Sequence, residues 1–109
     1  MIELMDYDDY KSVIRDKALI FFSAEWCEPC KKFMEKILKS KKISKIRIKW
    51  YKINTDNEKM DQVIVKHKVN FIPIIFLMVN GKRKVTFTNI DDIDYIVKKI
   101  NHTIERSVA

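Results

Sequence analysis

The chain has 109 residues, a length that suits one domain with one core. Hydrophobic residues at 47% and charged residues at 34% describe a globular chain rather than a disordered one, and one glycine and two prolines exclude collagen-like or linker-rich designs. The net charge of +7 is unevenly placed, because ten of the 22 basic residues lie between Lys31 and Lys52 against a single acid, Glu35.

Residues 2–4 can form a short edge strand. Residues 7–15 read as a helix, with Tyr10, Val13 and Ile14 on one face and aspartates at its start. The apolar run at 18–23 suits a strand buried on both faces. A long helix is expected over 27–42, where Phe33, Met34, Ile37 and Leu38 recur at helical spacing. Ile46, Ile48 and Trp50 alternate with Arg47 and Lys49, which predicts a strand over 46–53. A helix over 57–67 would turn Met60, Val63 and Ile64 inward. A second buried strand follows at 74–79, then the hairpin signal Asn80-Gly81 and an antiparallel mate at 84–88. Ile93, Ile96, Val97, Ile100 and Ile104 mark the face of a last helix, with Asn89 and Asp91 as candidate caps. The order β-α-β-α-β-α-β-β-α predicts an α/β fold: one domain over 1–109, a central mixed β-sheet flanked by helices on both faces.

No stretch reaches the roughly 18 apolar residues of a membrane span. The acidic segment 1–9 lacks the basic and apolar regions of a secretory leader, so a cytoplasmic protein without membrane association is expected. Two cysteines are too few for a secreted disulfide scaffold. The lysine-rich segment is readable as a surface for nucleic acid, but no aromatic residues interleave it as a stacking platform requires, and a solvated helix face is the simpler expectation.

Both cysteines lie in Trp26-Cys27-Glu28-Pro29-Cys30, after a buried strand and at the start of a helix. A helix N-terminus offers unpaired N–H groups and partial positive charge, which lower a thiol's pKa below about 8.5. The thiolate is the attacking species in disulfide exchange. Cys30 lies one turn on, near enough to attack a mixed disulfide from within. Pro29 suits the first turn, where a missing N–H costs little. Two other readings stand beside this one. A zinc site needs about four ligands, and only His67 and His102 could join the cysteines, at spacings that match no finger. Two inert core thiols are the second. The histidines are otherwise expected to be solvated surface residues without a role. One glycine leaves no room for a nucleotide-binding glycine loop.

The run ALIFFSAEWCEPCKKF resembles the active-site region of thioredoxins. The similarity continues through YKINTDN at 51–57, VNFIPIIFLMVNGK at 69–82 and the terminal amphipathic helix. It implies the thioredoxin fold and a thiol–disulfide oxidoreductase that reduces or exchanges protein disulfides. By the resemblance, Cys27 is the exposed attacking cysteine, Cys30 the resolving one and Trp26 the aromatic flank of the site. Pro73 is then the cis-proline that faces the dithiol, and Ile72 offers its backbone to an extended substrate. The redox centre would be the dithiol itself, without cofactor or metal. A thioredoxin-reductase-like protein would re-reduce it, and a monomer is expected.

The chain also departs from the family pattern. Phe21 stands six positions before Cys27, where thioredoxins usually keep a buried aspartate that helps move the resolving thiol's proton. Lys52 matches the lysine near that aspartate and is expected to have lost its partner. Ser23 replaces a common aromatic residue, and Glu35 a proline that often kinks the long helix. Glu28 occupies the usual glycine between the cysteines, Phe71 a position where small residues are frequent, and Asn89 a frequent glycine site. Phe71 either narrows the substrate groove or packs in the core. The carboxylate of Glu28 opposes a thiolate at Cys27 while Lys31 and Lys32 favour it. These changes predict a less efficient general reductase, and they keep open an alternative: a thioredoxin-fold binding module that docks a partner with little turnover.

Overall fold

A computed structural model describes residues 1–108. Its elements are β1 (Ile2–Glu3), α1 (Tyr7–Val13), β2 (Lys17–Ser23), α2 (Glu28–Lys39), α3 (Lys41–Ser44), β3 (Trp50–Asn54), a 3-10 turn (Glu58–Met60), α4 (Asp61–Lys66), β4 (Ile74–Val79), β5 (Lys82–Phe87) and α5 (Ile93–Val108). The strands form one mixed sheet in the order β1-β3-β2-β4-β5. β3 runs parallel to both β1 and β2, whereas β4 is antiparallel to β2 and β5.

The period-two rule of a strand explains the layers. On β2, Leu19 and Phe21 point to one face, where they meet Ile75 and Leu77 of β4, Phe33 and Ile37 of α2, Ile43 of α3, and Ile96 and Ile100 of α5. Ala18, Ile20 and Phe22 point to the other, against Phe76 and Met78, Tyr10 and Ile14, Met60 and Val63. Every residue of β4 is buried, as a central strand covered on both faces requires.

Several elements differ from the sequence reading: α1 ends at Val13, the helix expected over 57–67 is a 3-10 turn followed by α4, and β5 starts at Lys82, directly after the turn. The helix expected over 27–42 is two helices. Ser40 adopts an extended backbone, donates its N–H to Ile37, and its Oγ accepts from the N–H of Ile43 at 3.2 Å. A good N-cap residue inside an apolar period thus restarts the helix. Glu35 lies within α2, which continues unbroken to Lys39. The strand expected from Ile46 begins only at Trp50, where pairing to Leu19 starts. Ile48 is buried against the helices beside β2, and Ile46 packs there without joining the ladder. Alternation reports one-sided burial, which an irregular apolar segment satisfies equally well. At α5, Asp92 rather than Asn89 or Asp91 is the cap, its Oδ1 accepting from the N–H of Tyr95 at 3.0 Å.

The hairpin lies at Asn80-Gly81, with φ of 53° and 81°. Two positive φ values suit the right-handed twist of the flanking strands. The turn is also held from outside, because Asp16 and Ile14 accept its two N–H groups, each at 2.7 Å.

Candidate active site

β2 ends at Ser23, and the chain turns through Ala24 to Trp26 before α2 begins. Cys27 is the N-cap of α2, and its Sγ accepts from the N–H of Cys30 at 3.3 Å. Glu28 and Pro29 fill the first turn, where a residue without an N–H is tolerated. The two cysteines form a disulfide with their Cα atoms 5.3 Å apart.

Cys27 is less open than the expected exposed cysteine: it keeps 4% of its surface and Cys30 keeps 3%. Cys27 is covered because its sulfur is bonded to Cys30 and turned onto the helix end. The exposed surface is supplied by its neighbours Glu25, Trp26, Glu28, Pro29 and Lys31. Glu28 is not an isolated negative charge beside the dithiol, since Lys31 Nζ lies 3.2 Å from its Oε1.

The Ile72–Pro73 bond is cis. It lies just before β4, and β4 pairs with β2, so the chain enters the sheet beside the strand that delivers the cysteines. Ile72 and Pro73 are half-buried, and Ile72 packs against the cores on both faces of the sheet. A surface cavity of about 400 Å³ is lined by Trp26, Thr55, Ile64, Val69, Phe71 and Ile72, among others. Phe71 is exposed, which removes the core-packing reading and leaves it as one wall of this groove. Trp26 is also exposed, yet its Nε1–H donates to Asp56 Oδ2 at 3.0 Å. Sequence reasoning missed Asp56; its signal was its place in the YKINTDN run beside the site.

On the inner side of the dithiol, Phe21 is fully buried in the same cluster as Cys27 and Cys30, its ring edge-to-face with Phe33 at 5.2 Å. Lys52 sits opposite Phe21 in the ladder. It has not lost its partner, as the sequence suggested: its Nζ lies 3.7 Å from Oε1 of Glu3, the residue opposite it on β1. A second cavity, of about 480 Å³, includes Glu3, Glu25, Cys30, Lys31 and Lys52 in its wall. Sequence reasoning missed Glu3 as well, because a two-residue strand carries no period.

His67 is also placed differently from expectation. It is half-buried, and Tyr10 Oη lies 2.6 Å from its Nε2. Burial lowers the pKa of His67, and the charges of Arg83 and Lys66 add to the effect. Tyr10 is pushed up to about 12, chiefly by burial. His102 is exposed. Among the described residues, no group of three or more His, Cys, Asp or Glu side chains is arranged to hold a metal ion, and no helix is long and apolar enough to cross a membrane.

The sequence model of the family described as Thioredoxin matches residues 2–102. A thioredoxin of Borreliella burgdorferi is 34% identical over 104 residues, covering 90% of this chain and 87% of the relative. A thioredoxin of Rickettsia bellii is 29% identical over 86 residues, with 79% and 80% covered. Among solved structures, thioredoxin of Trypanosoma brucei brucei superposes with a TM-score of 0.77 at 20% identity, over 96% of this chain and 91% of that one. Plasmodium falciparum thioredoxin also gives 0.77 at 20% identity, over 91% and 98%.

Proposed function

The chain belongs to the thioredoxin family and is a thiol–disulfide oxidoreductase built on the Cys27/Cys30 dithiol, and from that premise we propose how its residues divide the work. Cys27 attacks. In the reduced state its thiolate is stabilised by the N–H of Cys30 and by the positive end of α2. It attacks one sulfur of a protein disulfide, and the other sulfur leaves as a thiolate. Cys30 then resolves the mixed disulfide by bonding to Cys27, and the second substrate sulfur leaves. Electrons pass from the dithiol to the substrate without a bound cofactor.

The groove beside the dithiol positions the substrate. Ile72, held in place by Pro73, offers backbone N–H and C=O groups to an extended segment, while Trp26 and Phe71 accept its apolar side chains. Glu28, Pro29, Phe21 and Lys52 modulate the cysteines rather than touch the substrate. The protein works as a monomeric single domain in the cytoplasm, and a thioredoxin-reductase-like protein returns it to the dithiol form.

The observation that carries this reading is the sulfur of Cys27 capping the helix that also carries its partner sulfur. The test is a trap. With Cys30→Ser, Cys27 should accumulate as a mixed disulfide with substrate proteins, and Cys27→Ser should form none. If Cys27→Ser still retains the same proteins, they bind without exchange and the chain is a docking module.

A further inference from the structure

We propose that Glu3 accepts the proton of the Cys30 thiol, through water in the cavity whose wall both residues share, and so replaces a carboxylate at the position of Phe21. The inference rests on the resolving role given above to Cys30.

Resolution needs a proton to leave. In the mixed disulfide, Cys27 Sγ is bonded to a substrate sulfur and Cys30 is a thiol. Cys30 loses its proton, and its thiolate attacks Cys27 Sγ. The Cys27–Cys30 bond forms and the bond to the substrate breaks. The electron pair leaves on the substrate sulfur, which takes a proton from solvent. The dithiol is oxidised and the substrate disulfide is reduced. Cys30 is almost wholly buried, and an apolar site resists thiolate formation. Phe21 and Phe33, packed in the same cluster, offer no acceptor.

The cavity on the β1 side offers one. Glu3, Lys52 and Phe21 are successive partners across β1, β3 and β2, so they form one row on one face of the sheet. Glu3 is two strands from Phe21, about 10 Å of sheet, and its ion pair with Lys52 on the strand between them spans part of that distance. The Lys52 ammonium at 3.7 Å holds the carboxylate at the cavity wall. Four charged groups face this space: Glu3 from β1, Glu25 from the loop before α2, Lys31 from α2 and Lys52 from β3. The lysines are cations and accept no proton, and Lys31 is paired with Glu28. Glu25 lies on an exposed loop, whereas Glu3 is half-buried and tethered by its ion pair. The cavity of about 480 Å³, whose mixed wall carries Ser23 and Asn54 beside the charged groups and Ala24 and Met34, has room for the intervening waters.

The experiment follows oxidation of the reduced protein by increasing amounts of a disulfide-bonded peptide, using tryptophan fluorescence in a stopped-flow cell. The slope at low peptide reports attack by Cys27. The plateau at high peptide reports resolution by Cys30. Glu3→Gln should lower the plateau about five- to tenfold near neutral pH and leave the slope unchanged. The deficit should shrink as pH rises, because hydroxide can then take the proton that Glu3 no longer accepts. Glu3→Asp should keep most of the plateau, and Glu25→Gln all of it. An unchanged plateau in Glu3→Gln, or an equal deficit at every pH, overturns the proposal. A plateau that survives Cys30→Ser would instead overturn the resolving role on which it rests.

Discussion

The indole N–H of Trp26 and the carboxylate of Asp56, thirty residues apart, are joined at 3.0 Å on an otherwise open surface. The ring is 66% exposed, so packing does little to hold it. A hydrogen bond in that setting contributes about 0.5–1 kcal/mol to keeping the ring as one wall of the groove. Asp56→Ala should therefore raise KM for a protein disulfide about two- to fivefold and leave kcat and thermal stability close to wild type. Asp56→Asn keeps an acceptor and should fall between the two. Steady-state reduction of a disulfide-bonded protein reads both constants. Identical KM values in all three proteins would mean that the bond does not organise the groove.

Phe21 poses a sharper trade between stability and rate. Phe21→Asp removes a fully buried ring and puts a carboxyl into an apolar cluster. The lost packing alone costs about 3–5 kcal/mol. Burial also raises the folded pKa of the new carboxyl above the unfolded value near 3.9, so the variant loses stability as pH rises through that range. Urea midpoints should show the variant weakest near neutrality. There the carboxyl also gives the thiol of Cys30 a nearby acceptor, and reduction of an insulin-type disulfide should speed up. A variant that folds and shows no gain even in the Glu3→Gln background, where Glu3 no longer serves Cys30, would separate the rate from proton transfer.

Tyr10 and His67 make the second pH-dependent contact. Folding lowers the pKa of His67 below 6.5, by burial first and by the charges of Arg83 and Lys66 next. Between the folded value and 6.5 the unfolded chain binds more protons, so acidification through that window erodes stability. Above it, the neutral ring shares a hydrogen bond with the Tyr10 hydroxyl and the contribution is complete. Tyr10 acts at the other end of the scale. Its folded pKa of about 12 lies above the ordinary 10, so its contribution is intact below 10 and is lost as pH rises toward 12. Chemical unfolding of wild type and His67→Gln should diverge near neutrality and converge at acidic pH. Parallel curves from about pH 5 to 8 would remove His67 as the cause.

What was legible in the sequence follows from which signals are local. The dithiol and the Asn80-Gly81 turn each occupy a few consecutive residues and stand where their chemistry predicts, and the cis bond before Pro73 stands where the family resemblance placed it. The two faces of β2 and β4 were also readable as continuous apolar runs. The misses share one cause, which is a partner outside the local pattern. Ser40 reads as one polar residue in a helical period until Ile43 uses it as a cap. His67 reads as a surface residue until β-sheet topology brings Tyr10 to it across 57 positions. Lys52 reads as orphaned by Phe21 when only the residue across one strand is counted. Its partner, Glu3, comes from the other neighbouring strand.

Lys68 tests how a chain with a single glycine ends its helices. After α4, Lys68 adopts φ of 53°, the left-handed conformation that glycine fills without strain. Its N–H donates to Val65 at 3.2 Å and that of Val69 to Ile64 at 3.0 Å, the paired bonds of a Schellman end. An L-residue with a side chain is penalised there by roughly 1–2 kcal/mol. Lys68→Gly removes that strain, while greater freedom in the unfolded chain takes back part of the gain. The balance should favour the variant by about 0.5 kcal/mol, measured as a higher urea midpoint at unchanged m-value. Gly81 is the converse case. A methyl group there would meet no atom within 4 Å, but φ is 81°, so Gly81→Ala should destabilise by about 1 kcal/mol through backbone strain alone. If both variants shift stability in the same direction, the backbone conformation at these two turns is not what sets their energies.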